Sequence, residues 1–484
     1  VLNHRKILLV HPLGYRAGAA GQDISRVANL MPPLGLASLA AYLDAAGMET
    51  AIIDCFANPD SDGLIEAHLR SERPAFLGLS CTTSSFLDGV RIAELARRAC
   101  PGIRSVFGGP HISALKERLL REYPAMDFAV AGEGEETLRE LMDGGFETPA
   151  QVRGLIWRDG PEGEIRFNGY RQGLELDSLP FPAYGKLAGF PAAYKLPIFN
   201  YPTVPNTSCI SSRGCPYACS YCDRSVFQRS FRSNSADYLY DHMRMLRRTF
   251  GIRHINFYDD QFTLDRRRVE RLTDRLLAEP LGMTFNCAVR AEHIDPDLVG
   301  RMKRAGCWMM SLGIETGDPD LLARHRQNPD LNHLAGKIRT ISAAGIRTKG
   351  LLMIGLPGET EASIRRSMDY VFSLPVDDFN LAKFTPFPGS PIYDGIRELG
   401  DFDEDWEKMD CMNFQFVTRG MTRERLEELF REFYERHFRR PKVLWGYVAM
   451  LWRSPDSWLR FLGGLGSFLR FTRSTRRMLG REEA

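Results

Sequence analysis

Short apolar runs alternate with amphipathic stretches over two long parts of the chain. In the first 145 residues the runs fall at 7–10, 50–54, 75–80, 103–107 and 128–131, and 3.6-residue periodicity marks helices at 35–46, 61–71, 86–99, 113–123 and 135–143. Strand–helix alternation of this length predicts a doubly wound parallel sheet. The alternation returns at 206–400, with strands expected at 207–211, 254–258, 284–289, 309–313, 349–354 and 380–384 and helices at 235–250, 265–278, 295–305, 330–344 and 360–373. Six such β/α units make an open partial barrel. Between the two parts, 146–205 reads as a connector: 154–157 and 164–167 flank a turn at 159–163, and the Pro-rich stretch 176–184 is expected to run extended. No chemistry is assigned to it. After 400 the pattern is an acidic loop at 401–406, then a helix starting at Thr422, with Leu426, Leu429, Phe430 and Phe433 at helical spacing.

Composition sets limits. The chain has 484 residues, so about three domains are expected, and 44% of them are hydrophobic, enough for ordinary cores. A formal net charge of +2 gives no general attraction to nucleic acid. The ten cysteines are scattered, which suits a reducing cytosol better than a disulfide framework. The first ten residues read as a strand, not a signal peptide, and no apolar run of about 20 residues is present to span a bilayer.

The sharpest chemical signal is Cys215, Cys219 and Cys222, with gaps of three and two residues between them. A [4Fe–4S] cluster is usually held by four thiolates, so three in one loop leave an iron open to bind and activate a small molecule. The alternative is zinc, which prefers four protein ligands and commonly two C-x2-C pairs; no second pair is present. Cys209, Cys55, Cys81, Cys100, Cys287, Cys307 and Cys411 are expected to pack as small hydrophobes. Parallel sheets bind ligands at the carboxyl ends of their strands. In the first part those ends carry His11, Ser80, Thr82, Thr83, Gly108, Gly109, His111, Gly132 and Glu133. Small and hydroxyl residues there let backbone approach a large flat or phosphate-bearing ligand.

The cysteine loop, with Tyr221 just before its last thiol, resembles the signature of the radical S-adenosylmethionine (radical SAM) enzymes. The run 31–43, containing Pro33 and Gly35, resembles the cobalamin-binding domain that precedes many radical SAM barrels, as do 108–111 and 131–135. The mutase-type Asp-x-His-x-x-Gly, whose histidine ligates cobalt, is missing, so the lower cobalt face is expected to lack a histidine; His11 and His111 are the candidates if it does not. The resemblance implies an α/β chain with a Rossmann-like cobalamin domain (1–145), a connector (146–205), a partial (β/α)6 radical SAM barrel (206–400) and a helical C-terminal region (401–484). A vestigial first domain without ligand is the alternative. The resemblance places SAM contacts at Tyr221, at Asp260 for the amino group, at Arg290 for the carboxylate, at Ser311 and Glu315 for the ribose, and at Gly355 for adenine. Capping is the competing role for Asp259, Asp260 and Glu359.

The implied chemistry is cleavage of SAM at the cluster to a 5′-deoxyadenosyl radical, hydrogen abstraction from an unactivated carbon of a small metabolite, and methyl transfer from cobalamin. A flavodoxin- or ferredoxin-like reductant would supply electrons. A non-methylating cyclase or ring-rearranging enzyme with the same cofactors is one alternative, and a non-catalytic cobalamin or Fe–S sensor another. The tail changes the picture once more. From Arg436 onward, eleven Arg or Lys face only Asp456, Glu482 and Glu483, and Trp445, Trp452 and Trp458 fall within apolar segments at 443–452 and 458–471. Such a segment either caps the barrel or lies on the inner face of a membrane, where it would admit a hydrophobic substrate such as an isoprenoid, lipid or pigment precursor.

Overall fold

The structure, a computed structural model, describes residues 2–14, 29–160 and 163–466. The first sheet holds β1 (Asn3–His11), β2 (Glu49–Asp54), β3 (Pro74–Ser80), β4 (Arg104–Gly108), β5 (Phe128–Val130), β6 (Leu155–Arg158) and β7 (Ile165–Phe167) in the order β2-β1-β3-β4-β5-β6-β7. The first five strands are parallel and the last two antiparallel. The hairpin expected in the connector therefore extends this sheet. Side chains alternate across a strand. Accordingly Ile7 and Leu9 of β1 pack with helix Leu34–Ala45 on one face, and Leu8 and Val10 pack with helices Asp62–Glu72 and Phe86–Ala99 on the other. Strand order reverses between β1 and β3, the place where such sheets open a crevice. The helix expected at 113–123 is instead two short helices, Pro110–Leu115 and Glu117–Glu122, broken at Lys116, whose φ is 47°.

The second sheet is the expected half-barrel. β8 (Asn206–Cys209) leads into a two-stranded ribbon, β9 (Ser212–Arg213) and β10 (Arg232–Ser233), whose arms bracket the cysteine loop. β11 (His254–Phe257), β12 (Thr284–Val289), β13 (Cys307–Glu315), β14 (Arg347–Ile354) and β15 (Asp378–Lys383) complete a parallel sheet in the order β15-β14-β13-β12-β11-β8. Its helices begin where Ser235, Asp265, Asp295, Asp330 and Thr360 accept a backbone N–H, satisfying donors that a helix start otherwise leaves orphaned. Sequence reading missed a further helix, Pro319–His325, capped in the same way by Asp318; at seven residues it is too short to show periodicity.

The segment expected as an acidic loop holds a strand, β16 (Gly400–Phe402), paired antiparallel with β17 (Phe416–Thr418). Trp406 follows β16 and reaches the first domain, edge-on to Phe86 and His111. Thr422 caps helix Arg423–Phe438 as expected, and Phe433 packs on Phe372 and Phe379. Helices Pro441–Arg453 and Pro455–Gly463 follow. The part of the 458–471 segment beyond Gly466 lies outside the described residues, as do Glu482 and Glu483. No helix of the described residues is long and apolar enough to cross a membrane.

One buried acid gives the barrel a pH dependence. The Glu359 carboxyl accepts the N–H groups of Gly355 and Leu356, yet burial outweighs these bonds and pushes its pKa up to about 8. An unfolded Glu titrates near about 4.3. Across the window between these values the folded chain keeps a proton that the unfolded chain has lost, so this group's contribution to stability falls as pH rises. Urea titrations at steps from pH 5 to pH 8 should show that decline, on the order of 1 kcal/mol per pH unit, and Glu359→Gln should flatten it. An unchanged slope in the variant would assign the dependence elsewhere.

Candidate active site between the two sheets

The carboxyl ends of the first sheet and of β8 and β11 of the barrel face one cleft, which encloses about 1390 Å³ including its solvent-open mouth. From the first domain come Gly35, Gly78, Ser80, Gly108, Gly109, Gly132 and Glu133; from the strap, Leu176, Leu179, Pro180 and Pro182; from the barrel, Ile210, Arg213, Phe227, Tyr238, His242, Tyr258 and Asp260. The absence of side chains at the strand ends is structural: a Cβ on Gly109, whose φ is 104°, would stand 2.6 Å from the carbonyl oxygen of Cys81.

Of the residues expected to meet cobalamin, Gly35, Ser80, Gly108, Gly109, Gly132 and Glu133 line this cleft. The structure does not bring the others to its wall. His11 is bonded to Asp54 through Nδ1 (3.0 Å) and stacked on Phe56. His111 is buried beneath the loop, its Nδ1 3.3 Å from Thr83 Oγ1, with its ring against Phe86 and Trp406; burial lowers its pKa to about 3. Thr83 is thereby engaged below the surface, Thr82 bonds within its own turn, and Pro33 precedes helix Leu34–Ala45. The histidine that does reach the cleft is His242. It is stacked on Phe181, with Nδ1 3.5 Å from Cys209 Sγ, and burial lowers its pKa to about 3.

The three cysteines sit on the loop between β9 and β10. Cys222 is exposed and Cys215 and Cys219 are half-buried, whereas Cys55, Cys81, Cys100, Cys209, Cys287 and Cys307 are fully buried. The loop is anchored at several points. Ser220 is 2.8 Å from His325 Nδ1, Ser225 donates to the carbonyl of Pro110 in the first domain, and the Arg290 guanidinium lies 3.7 Å from the centre of the Tyr217 ring. Its stem is held by Asp259, which accepts the N–H groups of Ser211 and Ser212 and lies 3.6 Å from buried Arg268. Asp259 is thus an internal clamp and not the helix cap weighed from sequence.

Among the expected SAM contacts, Asp260 opens on the cleft beside Cys215 and Cys222, and burial with Asp259 raises its pKa. Tyr221 lies near Glu315, the last residue of β13, whose pKa is raised by burial against the opposing charge of Arg326. Arg290 is buried and pairs with Glu292 (3.2 Å). Two expectations need correction. Ser311 is in the middle of β13, opposite Ala288 and Lys349, and not at its end. Gly355 is buried; a Cβ there would stand 3.1 Å from the Phe414 ring and its N–H is taken by Glu359, so this side of its backbone is packed by side chains and is not open to adenine.

Sequence reading also missed the contact that joins the domains. Arg213, two residues before Cys215, bonds Glu133 (2.5 Å) and Glu135 (2.6 Å) of the first domain, and Arg232 on the other arm of the ribbon bonds Glu133 as well. The Pro-rich strap, given no role, walls the cleft.

A doubly wound ligand domain closed over a parallel half-barrel with three thiols at its mouth defines a class of radical enzyme, and the comparisons agree. The family model for the B12 binding domain matches residues 23–142, and that for the radical SAM superfamily matches residues 209–371. The chain belongs to the cobalamin-dependent radical SAM enzymes, whose cofactors are a [4Fe–4S] cluster, SAM and cobalamin. It is 28% identical to the uncharacterized methyltransferase PH0819 of Pyrococcus horikoshii over 446 residues, 91% of this chain and 94% of that one. It is 26% identical to the anaerobic magnesium-protoporphyrin IX monomethyl ester cyclase of Rubrivivax gelatinosus, covering 89% of this chain and 77% of that one. Its fold resembles that of the radical SAM methyltransferase TsrM from Kitasatospora setae, solved with cobalamin and a [4Fe–4S] cluster bound (TM-score 0.65, 20% identity, 81% of this chain and 75% of that one). The residues present fit these groups. Each cysteine of a cluster binds its own iron, so the three need share only a rim, and the glycine-lined strand ends leave room for a broad flat ligand.

The adjacent acids separate structure from function. Asp259→Ala should cost the barrel about 3–5 kcal/mol, because it leaves the buried Arg268 charge uncompensated. Asp260→Ala should leave stability within about 0.5 kcal/mol and lower SAM cleavage at least tenfold. Urea unfolding and 5′-deoxyadenosine release check this pair; equal stability losses would make Asp260 a second structural acid.

Proposed function

We propose that this enzyme transfers a methyl group to an unactivated carbon of a small, hydrophobic metabolite. The observation that carries the proposal is the cleft lined by the cobalamin-side strand ends and by Val226 and Phe227 of the cysteine loop, with Asp260 on its wall beside Cys215 and Cys222. When bound, the cluster with SAM supplies a hydrogen-abstracting 5′-deoxyadenosyl radical, and cobalamin supplies a transferable methyl group. The chain's own residues bind, orient and exclude water. Cys215, Cys219 and Cys222 would hold three irons and leave the fourth to SAM. Asp260 would take the SAM amino group as a hydrogen-bond donor, and Arg290 would face its carboxylate with the guanidinium edge not used by Glu292. Tyr221 and Glu315 would bound the ribose. Gly108, Gly109 and Gly132 would admit the corrin against backbone, while Leu176, Pro180 and Pro182 would close the apolar side of the cleft and limit access of water. The same wall, with Ile210 and Tyr258 exposed to the cleft, favours an apolar substrate. No described side chain is needed as a nucleophile. Electrons would come from a flavodoxin- or ferredoxin-like partner.

A second reading, ring closure without methylation, is favoured by the likeness to the Rubrivivax gelatinosus cyclase. The two part on one product. Holoenzyme incubated anaerobically with reductant, SAM carrying a labelled methyl group and a small-molecule extract should form S-adenosylhomocysteine, 5′-deoxyadenosine and a labelled metabolite together. 5′-Deoxyadenosine with neither S-adenosylhomocysteine nor label would select the cyclase reading. Cys219→Ala should abolish both nucleoside products, and Cys209→Ala, altering a buried thiol off the loop, should keep most of them.

A further inference from the structure

Helices Pro441–Arg453 and Pro455–Gly463 have two unlike faces. The inner face is packed: Val443 and Met450 are buried, Ser457 accepts the N–H of Phe199, and Asp456 accepts the Tyr201 hydroxyl. On the outer face Trp445 is 72% exposed, Trp452 77% and Leu459 71%, with Leu444, Leu451 and Leu462 beside them. Eight of the seventeen exposed large apolar side chains among the described residues fall within 444–465. Single exposed apolar residues need no explanation, but a contiguous patch does. Positions 444, 445, 448 and 452 form one stripe of a 3.6-residue helix. Exposed Lys442 and Arg453 rim it, Arg439 beside them is paired with Glu435 (3.6 Å), and the one acid in 441–466, Asp456, is turned inward.

We propose that this face docks on an anionic lipid bilayer. Tryptophan favours the headgroup layer, basic side chains favour anionic lipid, and the helices present both on one side. A second copy of the chain would bring the basic rims together and is disfavoured by like charge. Residues 467–484, outside the described part, add five arginines against two glutamates, the same sign again.

The location of the face fixes what docking does. The two helices rest on the segment 196–201, whose Asn200 bonds Asn286 and Lys349 at the amino-terminal side of the barrel, and Tyr447 meets Asp378, the first residue of β15. The cysteine loop and the cleft are at the carboxyl ends of the strands. The eight residues of β14 put these poles roughly 25 Å apart. The contact therefore anchors the enzyme with its cleft facing away from the membrane, and a substrate does not enter the barrel through the tail, as the sequence had suggested.

The test is flotation of the full-length holoenzyme with vesicles of phosphatidylglycerol and phosphatidylcholine or of phosphatidylcholine alone. The proposal expects flotation with the anionic vesicles only, weakened by high salt. The combined Trp445→Ser, Trp452→Ser and Leu459→Ser variant should bind at least tenfold less with melting temperature and SAM cleavage unchanged, and the chain ending at Gly466 should keep most of its binding. Three results would each overturn it: no flotation of the full-length protein; equal flotation of the triple variant; or binding lost with residues 467–484 alone. So would a dimer that the triple substitution dissociates, which would give the face to a second copy.

Discussion

The arrangement depends on how the three residues before the cysteine loop are held. Ser211 and Ser212 are bound by Asp259 inside the barrel, and the next residue, Arg213, is bound by Glu133 and Glu135 of the other domain. One short stretch of chain thus belongs to both domains, and the cysteines that follow inherit its position. Burying such charges gives little net stability, because their desolvation offsets most of the attraction. What the network supplies is a fixed placement: the cysteine loop cannot shift relative to the glycine-lined strand ends without breaking buried ion pairs.

That placement suits a reaction in which the cofactors carry the difficult steps and the protein supplies proximity. The cleft is built from what the side chains leave out. Gly109 sits where a Cβ would strike Cys81, and the strap contributes prolines and leucines in place of polar groups. On the barrel side Asp260 and Arg290 flank the thiols, and the acids that reach the cleft from the first domain, Glu133 and Glu135, are paired with Arg213. The tail helices pack at the opposite end of the barrel, so the chemistry and the proposed lipid-facing surface are at separate poles.

Much of this was legible in the sequence because burial leaves a local, periodic trace. β12 falls on the expected residues, and β11 and β14 differ from expectation by at most two residues. The cysteines were legible because eight contiguous residues carry their whole signal. What was not legible is what depends on distant partners. Glu133 and Arg213 are 80 residues apart, and nothing in either local pattern pairs them. Gly355 reads as an open backbone until Phe414, far along the chain, is found against it. His111 stands in a suggestive glycine-rich turn, yet Trp406, from beyond the barrel, covers it. The hairpin at 155–167 was recognised, but its membership of the first sheet follows from pairing with β5 and not from its own residues.

The claim at the centre is that the two cofactors are held over one cleft by the Arg213–Glu133–Glu135 contact. Both can be made paramagnetic, as cob(II)alamin and the reduced cluster. Pulsed electron paramagnetic resonance of the protein carrying both should therefore show magnetic coupling between the two spins. The account predicts that this coupling is present in the native chain and is weakened or broadened when Glu133 and Glu135 are changed together to alanine, with both cofactors still bound. Two uncoupled signals in the native chain, or a coupling untouched by the double substitution, would contradict it.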